Sequence, residues 1–299
     1  MIYDTIVSRE PIEKGWSGDQ KYCVTTEDGT KYLLRITSPE RAHRFWLCYQ
    51  RMQEAARLDI PMCLPVEFGK CSEGTYALHS WIDGVDAESI IPGLSNEQQY
   101  AYGLDAGRIL RKLHSLPPPE DAEPWIPRFQ AKIDRKITLY ESCPLKYDRG
   151  ELMVAFLRGN RHLLSDRPQT YQHGDYHIGN MMVDRNGVLT IIDFDRDDYG
   201  DPWEEFNRIV WCVQASPVFA SGMVDGYFDF RIPANFWTQL ALYICSNSIG
   251  SLPWAIPYGE KEVQVMRRQA SEILAWYDDM RTVIPIWYQK PNEKAGNCV

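Results

Sequence analysis

The chain has 299 residues and a formal net charge of −9, long enough for two domains or one large two-lobed unit with a substantial core. Hydrophobic residues make up 44% and charged residues 24%, a globular balance that excludes a disordered chain. The acidic excess lacks the basic footprint of a nucleic-acid protein, and no stretch reaches the ~18 apolar residues of a membrane helix.

The eight cysteines include no CxxC pair, which argues against a zinc site. Met1-Ile2-Tyr3-Asp4 has neither the basic region nor the apolar run of a signal peptide. A cytoplasmic protein with reduced thiols is expected, without nucleic-acid or membrane partners. Its acidic surface permits a cationic substrate without demanding one.

Residues 5–12 predict a strand. Residues 22–26 and 31–36 flank Asp28-Gly29, a strong hairpin signal. Residues 39–58 predict a helix with Ser38 as N-cap and Pro39 at its first position. Residues 63–68 and 75–82 form a second strand pair. After Gly84 the pattern turns helical. Ser95 and Gln98 have capping-box spacing ahead of a helix over 95–116, which stops at Pro117-Pro118-Pro119. Further helices are expected over 128–140, 151–164, 203–212, 234–248 and 259–280, interrupted by a strand region at 171–195. The expected fold is α+β: a β-rich lobe over 1–82 and a larger helical lobe over 83–299. Ligands favour such junctions.

The most informative segment is YQHGDYHIGNMMVDRNGVLTIIDFD, residues 171–195. A two-residue turn at Asn186-Gly187 would pair Arg185 with Val188. Carried back along both strands, that register sets Asn180 opposite Asp193, with Cβ atoms roughly 4.5–5.5 Å apart. An amide oxygen and a carboxylate so placed suit Mg²⁺, which takes one or two protein ligands beside phosphates and waters. Asp175, five residues before Asn180, could orient a hydroxyl toward a metal-bound phosphate. This order of Asp, Asn and Asp is a kinase catalytic-loop pattern.

His173-Gly174-Asp175-Tyr176-His177-Ile178-Gly179-Asn180, followed by Ile192-Asp193-Phe194-Asp195, resembles the aminoglycoside phosphotransferase family, which is itself similar to choline kinase and to the protein-kinase fold. The resemblance implies a bilobal kinase-like fold, Asp175 as the catalytic residue, and Asn180 and Asp193 as the metal-holding pair. It also implies ATP and Mg²⁺, with GTP left open.

In the first lobe, Gly15, Ser17 and Gly18 lie between the first two strands, where backbone amides can approach phosphates. A two-residue turn at Asp28-Gly29 would set Val24 opposite Leu33, an apolar floor for a base, and bring Arg35 toward the phosphates. The resembling families usually carry Lys at that position, and Arg binds phosphate through a planar fork. Kinases pair this cation with a helix Glu. None stands at 48–51, leaving Gln50 or Glu54 as candidate partners. In the resembling fold, adenine would meet the backbone near Ser80, Trp81 and Ile82.

The acid-rich stretch after the hairpin offers Asp197 and Asp198 as contacts for a cationic substrate. Asp201, Glu204 and Glu205 read instead as a helix start, and His173 as a hydrogen-bonder that fixes the catalytic loop. The expected activity is transfer of a nucleotide γ-phosphate to a hydroxyl of a small molecule. By the resemblance that molecule is an aminoglycoside or similar amino-alcohol. Choline, homoserine, a thiosugar or a macrolide remain as other acceptors. A non-catalytic nucleotide-binding module also remains, motivated by the missing helix acid. A protein kinase is disfavoured, because Asp-Phe-Asp stands in place of Asp-Phe-Gly and no Ala-Pro-Glu motif occurs.

Overall fold

The computed structural model describes residues 1–13 and 18–289. In chain order the elements are β1 (Ile6–Pro11), β2 (Gln20–Thr26), β3 (Lys31–Thr37), α1 (Ala42–Ala56), β4 (Pro65–Cys71), β5 (Gly74–Ser80), β6 (Gly84–Asp86), α2 (Ala87–Ile90), α3 (Asn96–Leu113), α4 (Trp125–Ser142), α5 (Gly150–Asn160), β7 (Thr170–Gln172), β8 (Met181–Asp184), β9 (Leu189–Ile191), β10 (Asp198–Gly200), α6 (Ile209–Ala215), α7 (Pro217–Phe228), α8 (Ala234–Ala255) and α9 (Glu260–Trp276). The helix expected from residue 39 opens as a 3-10 turn, Pro39–Arg41, before α1 begins. The helix expected from 203 is likewise a 3-10 turn, Glu204–Arg208, running into α6.

The chain forms two compact units. The first comprises Met1–Ile90, His173–Asp175 and Gly179–Asp197, and the second holds the rest of the described chain. This partition differs from a boundary at residue 82 with the hairpin in the later lobe. The reason is strand pairing: β6 pairs with β8, and the amides of Cys63 and Ile191 bond to the carbonyls of Ile191 and Pro61. The hairpin is thereby stitched to the N-terminal segment.

The first unit is built on an antiparallel sheet of five strands in the order β1-β2-β3-β5-β4. Alternation along the strands sorts its residues onto two faces. Val24, Leu34, Ile36, Tyr76 and Leu78 form a buried cluster on one face, capped by Ile2, Tyr3 and Ile6. Leu33, Arg35, Ala77 and His79 occupy the other, with Phe45 and Tyr49 of α1 packed against Ala77.

Both hairpins depart from the expected register by one residue. In the first, the amide of Gly29 bonds to the carbonyl of Thr26, and Thr26 and Thr30 close the strands. The loop thus has three residues, with Gly29 at φ 83°, a turn closed by a glycine bulge. Lys21 faces Arg35, Cys23 faces Leu33 and Val24 faces Tyr32. A one-residue slip moves every side chain of one strand to the other face. Val24 is therefore not part of an apolar floor with Leu33; it is fully buried beneath the opposite face.

The second hairpin repeats the pattern. Gly187, at φ 79°, bonds back to Asp184, and Met181, Met182 and Val183 face Ile191, Thr190 and Leu189. Asn180 accepts a 3.0 Å bond from the amide of Ile192, so Asn180 and Asp193 are not cross-strand partners. Asp193 lies past the end of β9 in the left-handed region, at φ 66°.

In the second unit, α3 opens with the expected capping box between Ser95 and Gln98. It lies tightly against α7, which has no amphipathic period for a sequence to display because it is buried on nearly all sides. Among the described residues, no helix is long and apolar enough to cross a membrane. The described cysteines, Cys23, Cys48, Cys63, Cys71, Cys143, Cys212 and Cys245, are all free thiols.

Candidate functional site

Within the first unit a cavity of about 270 Å³ opens on the sheet face that carries Leu33 and Arg35. Ile12, Leu33, Met52, Ile82, Met182 and Ile192 give it an apolar body. Lys21, Arg35, Asn180 and Asp193 also line it. Ser80, Trp81 and Ile82 stand on its wall. The Ser80 amide is occupied, however, bonding the carbonyl of Leu64 at 2.9 Å. Gly15 and Ser17 lie outside the described residues. Gly18 is exposed and is not part of the cavity lining.

The loop 173–180 is held by a set of short-range bonds. His173 is fully buried, and its Nδ1 accepts the amide of Asp175 at 3.3 Å. Nε2 therefore carries the proton and donates it to the carbonyl of Ile192 at 3.0 Å. Asn180 donates from Nδ2 to the carbonyl of Asp175 at 2.9 Å. Gly174 sits at φ 83°, and a Cβ there would lie 1.9 Å from the carbonyl oxygen of Arg196. Only glycine allows that approach. The Asp175 carboxylate is 16% exposed and lies 3.7 Å from the Arg196 guanidinium. Asp175 is joined to the cavity through Asn180 rather than forming part of its lining.

Arg35 is almost wholly buried and meets three carboxylates. It bonds Asp19 at 2.7 Å, forms a short pair with Asp195, and lies 3.6 Å from Asp193. Phe45 lies under its guanidinium, 5.8 Å from ring centroid to Cζ. Burial pushes the Asp195 carboxyl up, but the Arg35 charge and hydrogen bond, with help from Lys21, hold it below the usual range. The same acids raise the Arg35 pKa against its own burial. Neither Gln50 nor Glu54 is the partner of Arg35: both are on the exposed side of α1. The side of α1 that faces inward carries Cys48, whose thiol reaches the carbonyl of Phe194 at 3.1 Å. Asp195 and Asp19 thus take the place expected for a helix acid. Asp195 was legible as part of the motif, but nothing local marks Asp19, which meets Arg35 from 16 positions away in the chain.

Asp197 and Asp198 are not available as substrate contacts. Asp197 is buried, paired with Arg44 and with Arg51 at 2.9 Å. Asp198 pairs with Arg128 at 2.6 Å in the second unit. The other acids of that stretch are structural, but as ion-pair partners: Trp203, not Asp201, is the N-cap of the 3-10 turn over Glu204–Arg208. Asp201 receives Arg167 at two nitrogens and the Tyr243 hydroxyl, and Glu204 receives Lys132 and Trp125 at 2.8 Å. Charge counting along a sequence finds acids but not the cations that answer them.

Asp193 fits a hard cation. Its Oδ1 is buried and without a hydrogen bond, and it shares the cavity with the Asn180 amide. A carboxylate and an amide oxygen are the donor types that magnesium accepts beside phosphates.

A model of the phosphotransferase enzyme family matches residues 8–242. No curated protein matches the chain. Among solved structures, the chain is similar to a thermostable mutant of aminoglycoside phosphotransferase APH(4)-Ia in ternary complex with ADP and hygromycin B, with 16% identity and a TM-score of 0.64 over 91% of this chain and 96% of that one. It is similar to a choline/ethanolamine kinase family protein from Mesorhizobium loti, with 13% identity and a TM-score of 0.65 over 92% and 91%. It is also similar to the amicoumacin kinase hAmiN in complex with AMP-PNP, Ca²⁺ and Ami, with 15% identity and a TM-score of 0.65 over 92% and 90%. The α+β fold expected from the 173–195 block is the fold these proteins share.

Proposed function

The chain belongs to the phosphotransferase enzyme family, and on that premise we propose that it transfers the γ-phosphate of ATP to a hydroxyl of a small molecule, an aminoglycoside or similar amino-alcohol. The observation that carries this reading is the hydrogen-bonded loop that joins Asp175 to Asn180, set beside an apolar cavity that also holds Asp193. Leu33, Ile82 and Ile192 offer apolar surface to a base, and the segment at Trp81 and Ile82 offers backbone groups. Asp175 orients the acceptor hydroxyl and takes its proton as the phosphoryl group transfers. Asn180 and Asp193 would hold magnesium, which when bound neutralises charge on the β- and γ-phosphates. Catalysis here is positioning and electrostatics.

The amino-alcohol class rests on the family and on the ligands named for its solved relatives. The acid-rich stretch does not support it, because its carboxylates are paired within the protein. Cytoplasmic residence fits the free thiols.

The test is acceptor-dependent ADP release by the purified protein with ATP and magnesium, over aminoglycosides, choline, homoserine, thiosugars and macrolides. Mass spectrometry should find one added phosphoryl group on the accepted compound. ADP release that no acceptor stimulates, together with no nucleotide binding, would overturn the reading.

A further inference from the structure

The Arg35 position is where a phosphate-binding cation is expected, yet this arginine is already answered. Asp19, Asp193 and Asp195 surround its guanidinium, and its side chain is 6% exposed. A phosphate reaching Arg35 would have to displace a buried carboxylate and leave that charge unpaired, which is costly.

Directly across the strand pair stands Lys21, the Cα partner of Arg35. Opposed residues share a face of the sheet, and both side chains line the cavity. Like charges in opposed positions destabilise a sheet unless something answers them. The carboxylates answer Arg35. The ammonium of Lys21 acts on Asp195 only through space, and among the described residues it is held by no salt bridge or direct hydrogen bond. It stands at the start of β2, two residues after Asp19, in a cavity that also holds Asn180 and Asp193.

We propose that Lys21 is the cation that binds the nucleotide phosphates in this protein, and that Arg35 is the internal counter-ion that fixes the Asp193-Phe194-Asp195 turn. The assignment rests on the nucleotide reading of the cavity. It divides between two residues the tasks of binding phosphate and of ordering the acidic turn. A compact ammonium on a flexible stem suits the first, and a rigid fork held by several carboxylates suits the second.

The test compares ADP with adenosine by calorimetry, in magnesium, on the full chain. Lys21→Met should lose ~10–100-fold in ADP affinity, the range of a charge-assisted contact. Its adenosine affinity and melting temperature should stay at the wild-type values. Lys21→Arg should keep most of the ADP affinity. Arg35→Lys should lower the melting temperature while keeping the wild-type preference for ADP over adenosine. ADP binding by Lys21→Met equal to wild type overturns the assignment, and so does an equal loss of ADP and adenosine. Wild-type protein that binds neither ligand overturns the nucleotide reading itself, and the assignment with it.

Discussion

His173 ties the loop that carries Asp175 to the end of β9: one ring nitrogen accepts the Asp175 amide and the other donates to the carbonyl of Ile192. The ring also packs on Phe194, with centroids 4.6 Å apart. One buried side chain thus sets the spacing between Asp175 and the Asp193-Phe194-Asp195 turn. His173→Phe keeps the packing and removes both bonds. A buried polar group left unpaired costs about 1–3 kcal/mol, and a small misplacement of a reacting group costs up to ~10²-fold in rate. The variant should show a lower unfolding midpoint in urea and a lower kcat, with nucleotide affinity unchanged. Wild-type kcat would remove His173 from the positioning of Asp175.

Asp175→Asn keeps the backbone bonds, because Asn180 and His173 contact the main chain of Asp175 rather than its carboxylate. The carboxylate is lost, both as a proton acceptor and as the charge facing the Arg196 guanidinium at 3.7 Å. Turnover should fall by ~10²–10⁴-fold. Nucleotide affinity should stay at the wild-type value, because the carboxylate is not part of the cavity lining. Equal losses in affinity and kcat would place the residue in the nucleotide site instead.

The 173–180 motif was legible because its spacing is local: Gly174, Asp175 and Asn180 act within one turn of chain. The registers were not, because Asp-Gly and Asn-Gly serve loops of two residues and of three. The deciding signal lay just before or within each loop. The Asp184 carboxylate takes the amides of Asn186 and Val188 at 2.8 Å, and the Thr26 hydroxyl bonds Asp28 at 2.7 Å. A polar residue at the first turn position favours the longer type I form. One extra residue in each loop sets Val24 on the face opposite Leu33 and takes Asp193 out of register with Asn180. The acids of Arg35 and the arginines of Asp197 were illegible for a different reason. They join residues 16 to 160 positions apart, and pattern reading has no term for such distance.

Gly107 of α3 tests the packing of the second unit. A Cβ there would lie 2.1 Å from the carbonyl oxygen of Met223 in α7, and one at Gly103 would lie 2.2 Å from that of Phe219. The contact is with backbone, so no rotamer change relieves it. Gly→Ala in a helix otherwise gains about 1 kcal/mol, but overpacking costs about 1–3 kcal/mol. Gly107→Ala should therefore lower the melting temperature, whereas Gly159→Ala, where a Cβ meets nothing within 4 Å, should raise it slightly. Two variants that shift it in the same direction would show that α3 and α7 are less tightly joined than their backbones indicate.

His79 gives the first unit a defined acid sensitivity. It is 4% exposed on the sheet face beside Arg35. Burial, reinforced by the Arg35 charge, lowers its pKa to about 3. The unfolded chain titrates near the ordinary value of about 6.5. Between those values the unfolded state binds the proton and the folded state does not, so stability is full above about pH 6.5 and falls as the pH drops toward 3. From pH 7.5 to pH 5 this one group should remove about 2 kcal/mol. His79→Gln cannot take up the proton and should lose that much less over the same interval, whatever its stability at pH 7.5. Urea unfolding of both proteins at the two pH values measures the difference. Parallel losses would mean that the imidazole takes up its proton alike in the folded and unfolded states, so that burial beside Arg35 does not hold it neutral.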